Sequence, residues 1–333
     1  MSGDTIEVKI DKNIEKTEKK GTIRKKKSKL RGFFTKENLS LYLLMLPTLV
    51  YIFIFHYVPL SGLIMAFQDF SPLKGIWNSP FTDMGGFKHF YNFVTMPDFF
   101  NILKNTLVLS VYSIVVNTIL PIILALFINE IRNKLFKKTV QTISYAPYFV
   151  SVAVVCGMLF SFSNYETGIF NRIITFFGGE RVRVMESASL FPHLYVWSGV
   201  WQGLGWWAII YVGTLANVDQ SLHEAAIIDG AGRLKRMWHI NLPTIIPMAV
   251  IMLILSIGNM LSVGFEKVYL MQTDLNLRAS RIISTYVYEM SFMTKIPKFS
   301  YATAIGLFNS VINIILLWIA NTVSRKVGET SLW

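Results

Sequence analysis

The apolar positions of this chain fall in long uninterrupted blocks, not in the alternation of a half-buried strand. Blocks of that length suit a helix crossing a bilayer, which needs about 20 apolar residues for roughly 30 Å of hydrocarbon. A window of roughly 19 residues picks out about six of them, at 40–68, 103–128, 140–162, 191–217, 244–264 and 301–323. All are too long and too apolar for ordinary core helices. The expected fold class is therefore all-α integral membrane, with six transmembrane helices. The expected organisation is a basic tail over 1–39, a first transmembrane helix over 40–68 and an outer loop over 69–101. A transmembrane core over 102–323 follows, containing a polar loop at 218–243, and a short tail closes the chain over 324–333.

Composition agrees with that pattern. The 333 residues are 53% hydrophobic and 16% charged, against about 25% charged in soluble domains. The first span starts too far in and is too long to read as a cleaved signal peptide, and no small-residue cleavage site follows it. The single cysteine, Cys156, can form no internal disulfide and reads as a small buried apolar residue. The net charge is +12, and about 12 of the 32 Lys and Arg precede the first span, including Arg24, Lys25, Lys26, Lys27 and Lys29. Beside a span, such a tail sets topology and touches anionic lipid. The positive-inside rule then puts both termini in the cytoplasm, with the loops holding Arg132, Lys134, Lys137 and Lys138, and Arg233, Lys235 and Arg236, on the same side. The last outer loop, 265–300, runs against the rule with Lys267, Arg278, Arg281, Lys295 and Lys298. It is polar and long enough to touch an external partner.

The first outer loop mixes Pro72, Pro80, Pro97 and three glycines with Phe87, Phe90, Tyr91, Phe93, Phe99 and Phe100, which predicts short interfacial helices. The second holds Ile169, Phe170, Ile173, Ile174, Phe176 and Phe177 at the spacing of a short amphipathic helix at the membrane surface. His56 and His193 sit at the outer ends of spans and read as interfacial side chains.

The loop at 218–243 departs from the plain connections a membrane bundle usually has. Ser221 and Glu224 stand in capping-box register, so a helix is expected to start there and continue through Ala225, Ala226, Ile227 and Ile228. Gly230, Ala231 and Gly232 allow a sharp turn. A second helix follows with Leu234, Met237 and Trp238 on one face, and Pro243 suits the first turn of the next span. The expected product is a two-helix elbow with an exposed apolar patch, rimmed by Glu224, Arg233, Lys235 and Arg236, shaped for a partner groove.

Glu-Ala-Ala, three residues, Gly, nine residues, Ile, one residue, Leu-Pro resembles the signature loop of ABC-importer permeases of the binding-protein-dependent type. Each fixed position is met, by Glu224, Ala225, Ala226, Gly230, Ile240, Leu242 and Pro243. The resemblance runs from about residue 105 onward, and the first span is a usual addition in sugar permeases of this family. Tyr57-Val58-Pro59, Phe67-Gln68-Asp69-Phe70 and the run from Gly157 to Phe162 resemble the subgroup associated with polysaccharide and oligosaccharide uptake. The resemblance implies that these seven residues form the ATPase-coupling elbow between the fourth and fifth helices, docked in a cleft of a cytoplasmic ATPase. Glu224 would then pair with a basic residue there, or serve only to cap its helix. It also implies a second, homologous permease as heterodimer partner, two ATPase subunits carrying ATP and Mg, and an external solute-binding protein. The chain itself would bind no cofactor or metal and catalyse no covalent step.

Two features of the residues agree. No G-x-x-x-x-G-K-[ST] phosphate loop is present, and the span interiors hold no Asp or Glu of the kind proton-coupled carriers use. A neutral sugar needs hydrogen-bonding groups and flat aromatic faces. The spans supply Tyr148 and Ser151, then Gln202, Gly203 and Trp206, then Ser256 and Asn259 on a helical stripe with Ser262, and finally Asn313. Their alternative role is to hold helices together or anchor them at the interface. By position relative to the signature loop, Tyr148, Gly203, Trp206 and Ser256 resemble cavity residues of sugar permeases. The alternatives are an importer permease for a non-sugar solute (peptide, phosphate or polyamine), a membrane-embedded glycosyltransferase, for which no acidic or histidine cluster is seen, and a channel or structural subunit, which leaves the elbow unexplained.

Overall fold

The computed structural model describes residues 36–262, 264–328 and 331–332. The basic run at 24–29 lies outside them. The chain divides into two units, one ending at Leu63 and the other beginning at Ile64. The described part of the first unit is α1, Lys36–Ile52, which runs on through a π turn, Phe53–Tyr57, and a turn at Val58–Leu60. The helix thus begins before the expected boundary at 40.

The regular structure of the second unit is helical, apart from an isolated bridge between Gln68 and Phe81. Its elements are α2 (Lys88–Thr95), α3 (Phe99–Glu130), α4 (Lys134–Tyr145) with a 3-10 turn Ala146–Phe149, α5 (Val152–Phe162), α6 (Ile169–Phe176) and α7 (Phe191–Leu215). Then come α8 (Gln220–Ile228), α9 (Arg233–Arg236) and α10 (Leu242–Gly258), followed by α11 (Phe265–Met271), α12 (Leu277–Ser280), α13 (Ile283–Tyr288) and α14 (Phe299–Gly328).

Among the described residues four helices are long and apolar enough to cross a membrane: Leu39–Phe67, Phe99–Glu130, Arg233–Gly258 and Phe299–Lys326. The expected third span, 140–162, is not one straight helix. Lys134–Phe149 and Val152–Phe162 meet at 94°. Pro147 cannot donate to a helical ladder, Val150 and Ser151 are extended, and the Ser151 hydroxyl accepts from Val154 N–H to start a new helix. A hydropathy window averages across such a break. The 25-residue α7 is long enough to span, but its Trp, Tyr, Gly, Gln and His residues dilute its apolarity. The sixth expected span is extended at both ends in α14, which continues to Gly328 and so takes up half of the expected tail.

Helices in lipid gain little from hydrophobic burial against one another and rely on close packing. α3 packs most extensively on α7, and α10 on α14. At Gly205 the crossing of α4 and α7 is so close that a Cβ would lie 2.1 Å from the Ser144 carbonyl oxygen. Ala125, Leu126, Ala208, Tyr211, Leu215, Ile245 and Ala249 form the cluster joining α3, α7 and α10. A second joins α3, α5, α7 and α11 through Leu109, Val155, Leu159, Phe191 and Val268.

The segment 265–300, expected as a polar outer loop, instead buries several of its side chains. Val268, Met271, Ile282 and Ile283 are buried, and the buried Asn276 amide donates to the Met185 and Met271 carbonyls. The second outer loop carries the expected amphipathic helix as α6, with Phe176 and Phe177 exposed beyond its apolar face.

Candidate functional site: a lined cavity and an exposed elbow

The 94° break makes one wall of a cavity of about 480 Å3. Tyr148, Phe149, Val150, Ser151 and Val152 line one side, and Gly199, Gln202, Gly203 and Trp207 of α7 the other. Gln202 donates its amide to the Val150 carbonyl at 2.7 Å, pinning a peptide group that the break releases. Trp206 reaches the cavity through Tyr148, on which it stacks at 4.3 Å with the rings 3° from parallel. Two smaller cavities adjoin along the same ridge of α7. One, of about 180 Å3, is lined by Ser113, Asn117, Thr118, Trp207, Tyr211 and Ser256 among others. The other, of about 160 Å3, is lined by Ser110, Ser113, Tyr195, Ser256, Asn259 and Gly264 among others. Tyr195, Gly199, Gly203, Trp207 and Tyr211 follow at steps of four, the slowly winding ridge of a helix surface.

Of the eight expected path residues, Tyr148, Ser151, Gln202 and Gly203 line the first cavity, with Trp206 stacked on Tyr148, and Ser256 and Asn259 line the smaller ones. Asn313 does not. It is buried, accepts from Leu261 N–H at 3.0 Å and donates to the Ser262 hydroxyl at 2.9 Å. It clasps the end of α10, which stops at Gly258. The expected stripe of Ser256, Asn259 and Ser262 is correspondingly broken: Asn259 caps the helix and Ser262 belongs to the clasp. Sequence reasoning missed the contribution of α3. Ser110, Ser113 and Asn117 recur at steps of three and four within an apolar span, and that spacing was the available signal. It also missed that Lys267, within the expected outer loop, is buried.

The elbow is α8, a turn, and α9 running into α10. Its start differs from the expected capping box: Asp219, not Ser221, caps α8, its carboxylate accepting from Ser221 N–H at 2.9 Å. The bonds from Ser221, backbone first, hold the Asp219 carboxyl below its ordinary pKa. Cap preference allows either residue, and the earlier one takes the position. Gly230 has φ +74°, and Ala231 N–H returns to the Ala226 carbonyl at 2.8 Å, a helix-ending turn through the left-handed region. Glu224, Ala225 and Pro243 are exposed, while Ala226, Ile240 and Leu242 are half-buried. The expected apolar face is split. Leu222, Ile227, Ile228, Leu234 and Trp238 are exposed, but Met237 turns inward against the α3–α7–α10 cluster. Pro243 has no N–H for the ladder, and the turn before it widens to a π turn, Met237–Asn241, with Leu242 N–H donating to the Met237 carbonyl. Through that turn Arg233–Gly258 is one helix of 26 residues.

A multi-pass helical membrane protein with a lined cavity and an exposed two-helix handle is, by class, a transport permease. The sequence pattern described as "Binding-protein-dependent transport system inner membrane component" matches residues 117–329, and the chain belongs to that family, whose members are transport subunits of ABC importers and not enzymes. It is 42% identical over 293 residues to Protein LplB of Bacillus subtilis (strain 168), covering 88% of this chain and 91% of that one. It is 43% identical over 293 residues to the polygalacturonan/rhamnogalacturonan transport system permease protein YteP of the same organism, covering 88% and 90%. Its structure resembles a chain of a bacterial alginate ABC transporter solved with an alginate pentasaccharide-bound periplasmic protein, at TM-score 0.80 and 33% identity, covering 89% of this chain and 98% of that chain.

Proposed function

We propose that this chain is one permease half of an ATP-driven importer that takes up oligosaccharides or fragments of polysaccharides across a bacterial cell membrane. Six crossings are counted as α1, α3, the bent pair α4 and α5, α7, α10 and α14. Both termini are cytoplasmic by the basic residues flanking α1 and the elbow. A homologous permease closes the path from the other side, an external binding protein delivers sugar, and two ATPase subunits holding ATP and Mg grip the elbow. Glu224 pairs with a basic residue of the ATPase, Gly230 permits the turn, and the exposed apolar side chains of α8 and α9 fill the docking cleft. Tyr148, Ser151, Gln202, Gly203, Trp206, Ser256 and Asn259 face the sugar.

The observation that carries this reading is the continuity of Arg233–Gly258. One continuous helix has α9 of the elbow at one end and Ser256, which lines both smaller cavities, near the other. A push on the handle is therefore a movement of the cavity wall. The sugar is supported by the relatives named above and by an aromatic and amide lining without acidic side chains. The test is Gly230→Trp. A side chain at φ +74° is strained, by about 1 kcal/mol or more, and a bulky one also disturbs the docking face. The variant is expected to insert in the membrane yet lose ATP-driven uptake in proteoliposomes. Uptake at the wild-type rate would refute the docking role.

A further inference from the structure

A further cavity, of about 500 Å3, is walled by residues 69–92 on one side and 286–301 on the other. That volume is within the range of small-molecule sites, about 300–1,000 Å3. It lies at the end of α3 remote from the elbow. Ile283 N–H, just before Tyr286 of the cavity wall, donates to the Thr106 hydroxyl near the start of α3 at 3.1 Å. Glu130, the last residue of α3, instead faces Asn241 of the π turn that leads out of the elbow, at 3.5 Å. None of the residues lining this cavity lines the three cavities of the path.

The two walls are tied together, since Phe70 N–H donates to the Ser300 hydroxyl at 3.0 Å. His89 Nε2 stands 3.1 Å from the Gln68 carbonyl oxygen and 3.4 Å from the Asp69 carboxylate. Both neighbours are acceptors, so Nε2 carries a proton, and the neutral ring keeps an acceptor at Nδ1. The Asn92 amide and the Lys298 ammonium line the cavity without a hydrogen bond or ion pair among the described residues. Ring surface completes the wall: Phe70 meets Phe299 edge to face at 6.3 Å, and His89 meets Tyr301 at the same distance.

This lining rules on the ligand. A lone anion is turned away by Asp69 and a lone cation by Lys298. A purely apolar molecule leaves the amide, the ammonium and the carboxylate without partners. A neutral ring with hydroxyls around its rim and C–H groups on its flat faces matches all of them. Its hydroxyls donate to Asp69 and His89 Nδ1, accept from Lys298 and do both with Asn92, while its face rests on the aromatic rings.

We infer that this cavity is a second carbohydrate site, apart from the transport path, which takes one neutral sugar unit on the outer face of the permease. This deepens the carbohydrate reading and rests on it.

The experiment uses the assembled importer in lipid nanodiscs, with its ATPase but without the binding protein. Binding of methyl galactoside and methyl rhamnoside is followed by saturation-transfer NMR, with glucosamine and galacturonate as charged counterparts. The wild type is expected to bind the neutral glycosides more tightly than either charged sugar. Asn92→Trp, at an exposed position of α2, fills the chamber and is expected to abolish this binding. Asp69→Ala removes a charge-assisted hydrogen bond and is expected to weaken it about tenfold or more. Asp69 is exposed, so this variant decides the matter if Asn92→Trp fails to assemble. Gln202→Ala, in the path, is expected to leave it in place. Binding that survives in both Asn92→Trp and Asp69→Ala overturns the inference. Binding lost in Gln202→Ala but kept in Asn92→Trp puts the sugar in the path alone, which overturns the inference and leaves the carbohydrate reading standing. Tighter binding of a charged sugar, or no binding of either glycoside, also overturns it. The carbohydrate reading is judged separately, by stimulation of ATP hydrolysis with binding protein loaded with a trisaccharide, and falls only if that stimulation is absent.

Discussion

Replacing Gly205 by alanine tests the packing that shapes the cavity. The alanine Cβ would lie 2.1 Å from the Ser144 oxygen and 2.4 Å from its carbonyl carbon, where real Cβ contacts stay beyond 3.0 Å. The shortfall is about 0.9 Å, and the obstacle is backbone, so no side-chain rotation relieves it. α4 and α7 must move apart or shear by about that distance, at a cost of about 1–3 kcal/mol for overpacking. Most of the movement falls on residues 146–151, because the Tyr148–Trp206 stack and the Gln202–Val150 hydrogen bond join the same two elements. The variant is expected to lower the thermal midpoint of the purified importer by several degrees and to reduce uptake more than ATP hydrolysis, since the elbow is remote from the crossing. Gly205→Val should be worse than Gly205→Ala. A Gly205→Ala importer with wild-type stability and uptake would refute the argument that this contact fixes the cavity wall.

Asn313→Leu, close to isosteric, removes the acceptor for the buried Leu261 N–H and the donor to Ser262. The orphaned donor predicts a loss of about 1–3 kcal/mol, read as a lower thermal midpoint; a variant as stable as the wild type would remove the clasp from the account. Lys267, in α11 between the spans α10 and α14, has its pKa pushed down to about 8 from 10.5 by burial. Between about 8 and 10.5 the unfolded chain binds the extra proton, so this group makes folding more favourable as pH rises through that window. The thermal midpoint of the wild type is expected to gain on that of Lys267→Met over that range, and parallel profiles would contradict the assignment.

The elbow was legible because its information is local. A glycine that must turn through positive φ, a proline that must start a helix and small helix formers between them act within a few residues of each other. The position of Gly230 and the helices on either side follow from that alone, although the cap moved from Ser221 to Asp219. The four apolar helices were legible for a similar reason, since bilayer thickness sets block length. The break at 150–151 was not, because hydropathy is blind to backbone direction, and Pro147 and Ser151 were the signals it passed over. Asn313 reads as a path residue in a helix and becomes a clasp only when α10 ends beside it. Lys267 reads as a loop charge until α11 is packed on α7, and no spacing within 265–298 carries that long-range contact.

The bend between Phe149 and Val152 has a consequence for solvent. α5 is 11 residues long, about 16 Å at 1.5 Å per residue, so it reaches about halfway through a bilayer. A chain that leaves its helix at that depth exposes peptide groups which hydrocarbon cannot satisfy. Gln202 caps one of them, the Val150 N–H and the Ser151 carbonyl find backbone partners, and the first N–H groups of α5, which have no intrahelical acceptor, need moisture. The cavity is therefore expected to stay wet between cargo molecules, and an arriving sugar exchanges hydroxyl for water one contact at a time instead of entering a dry socket.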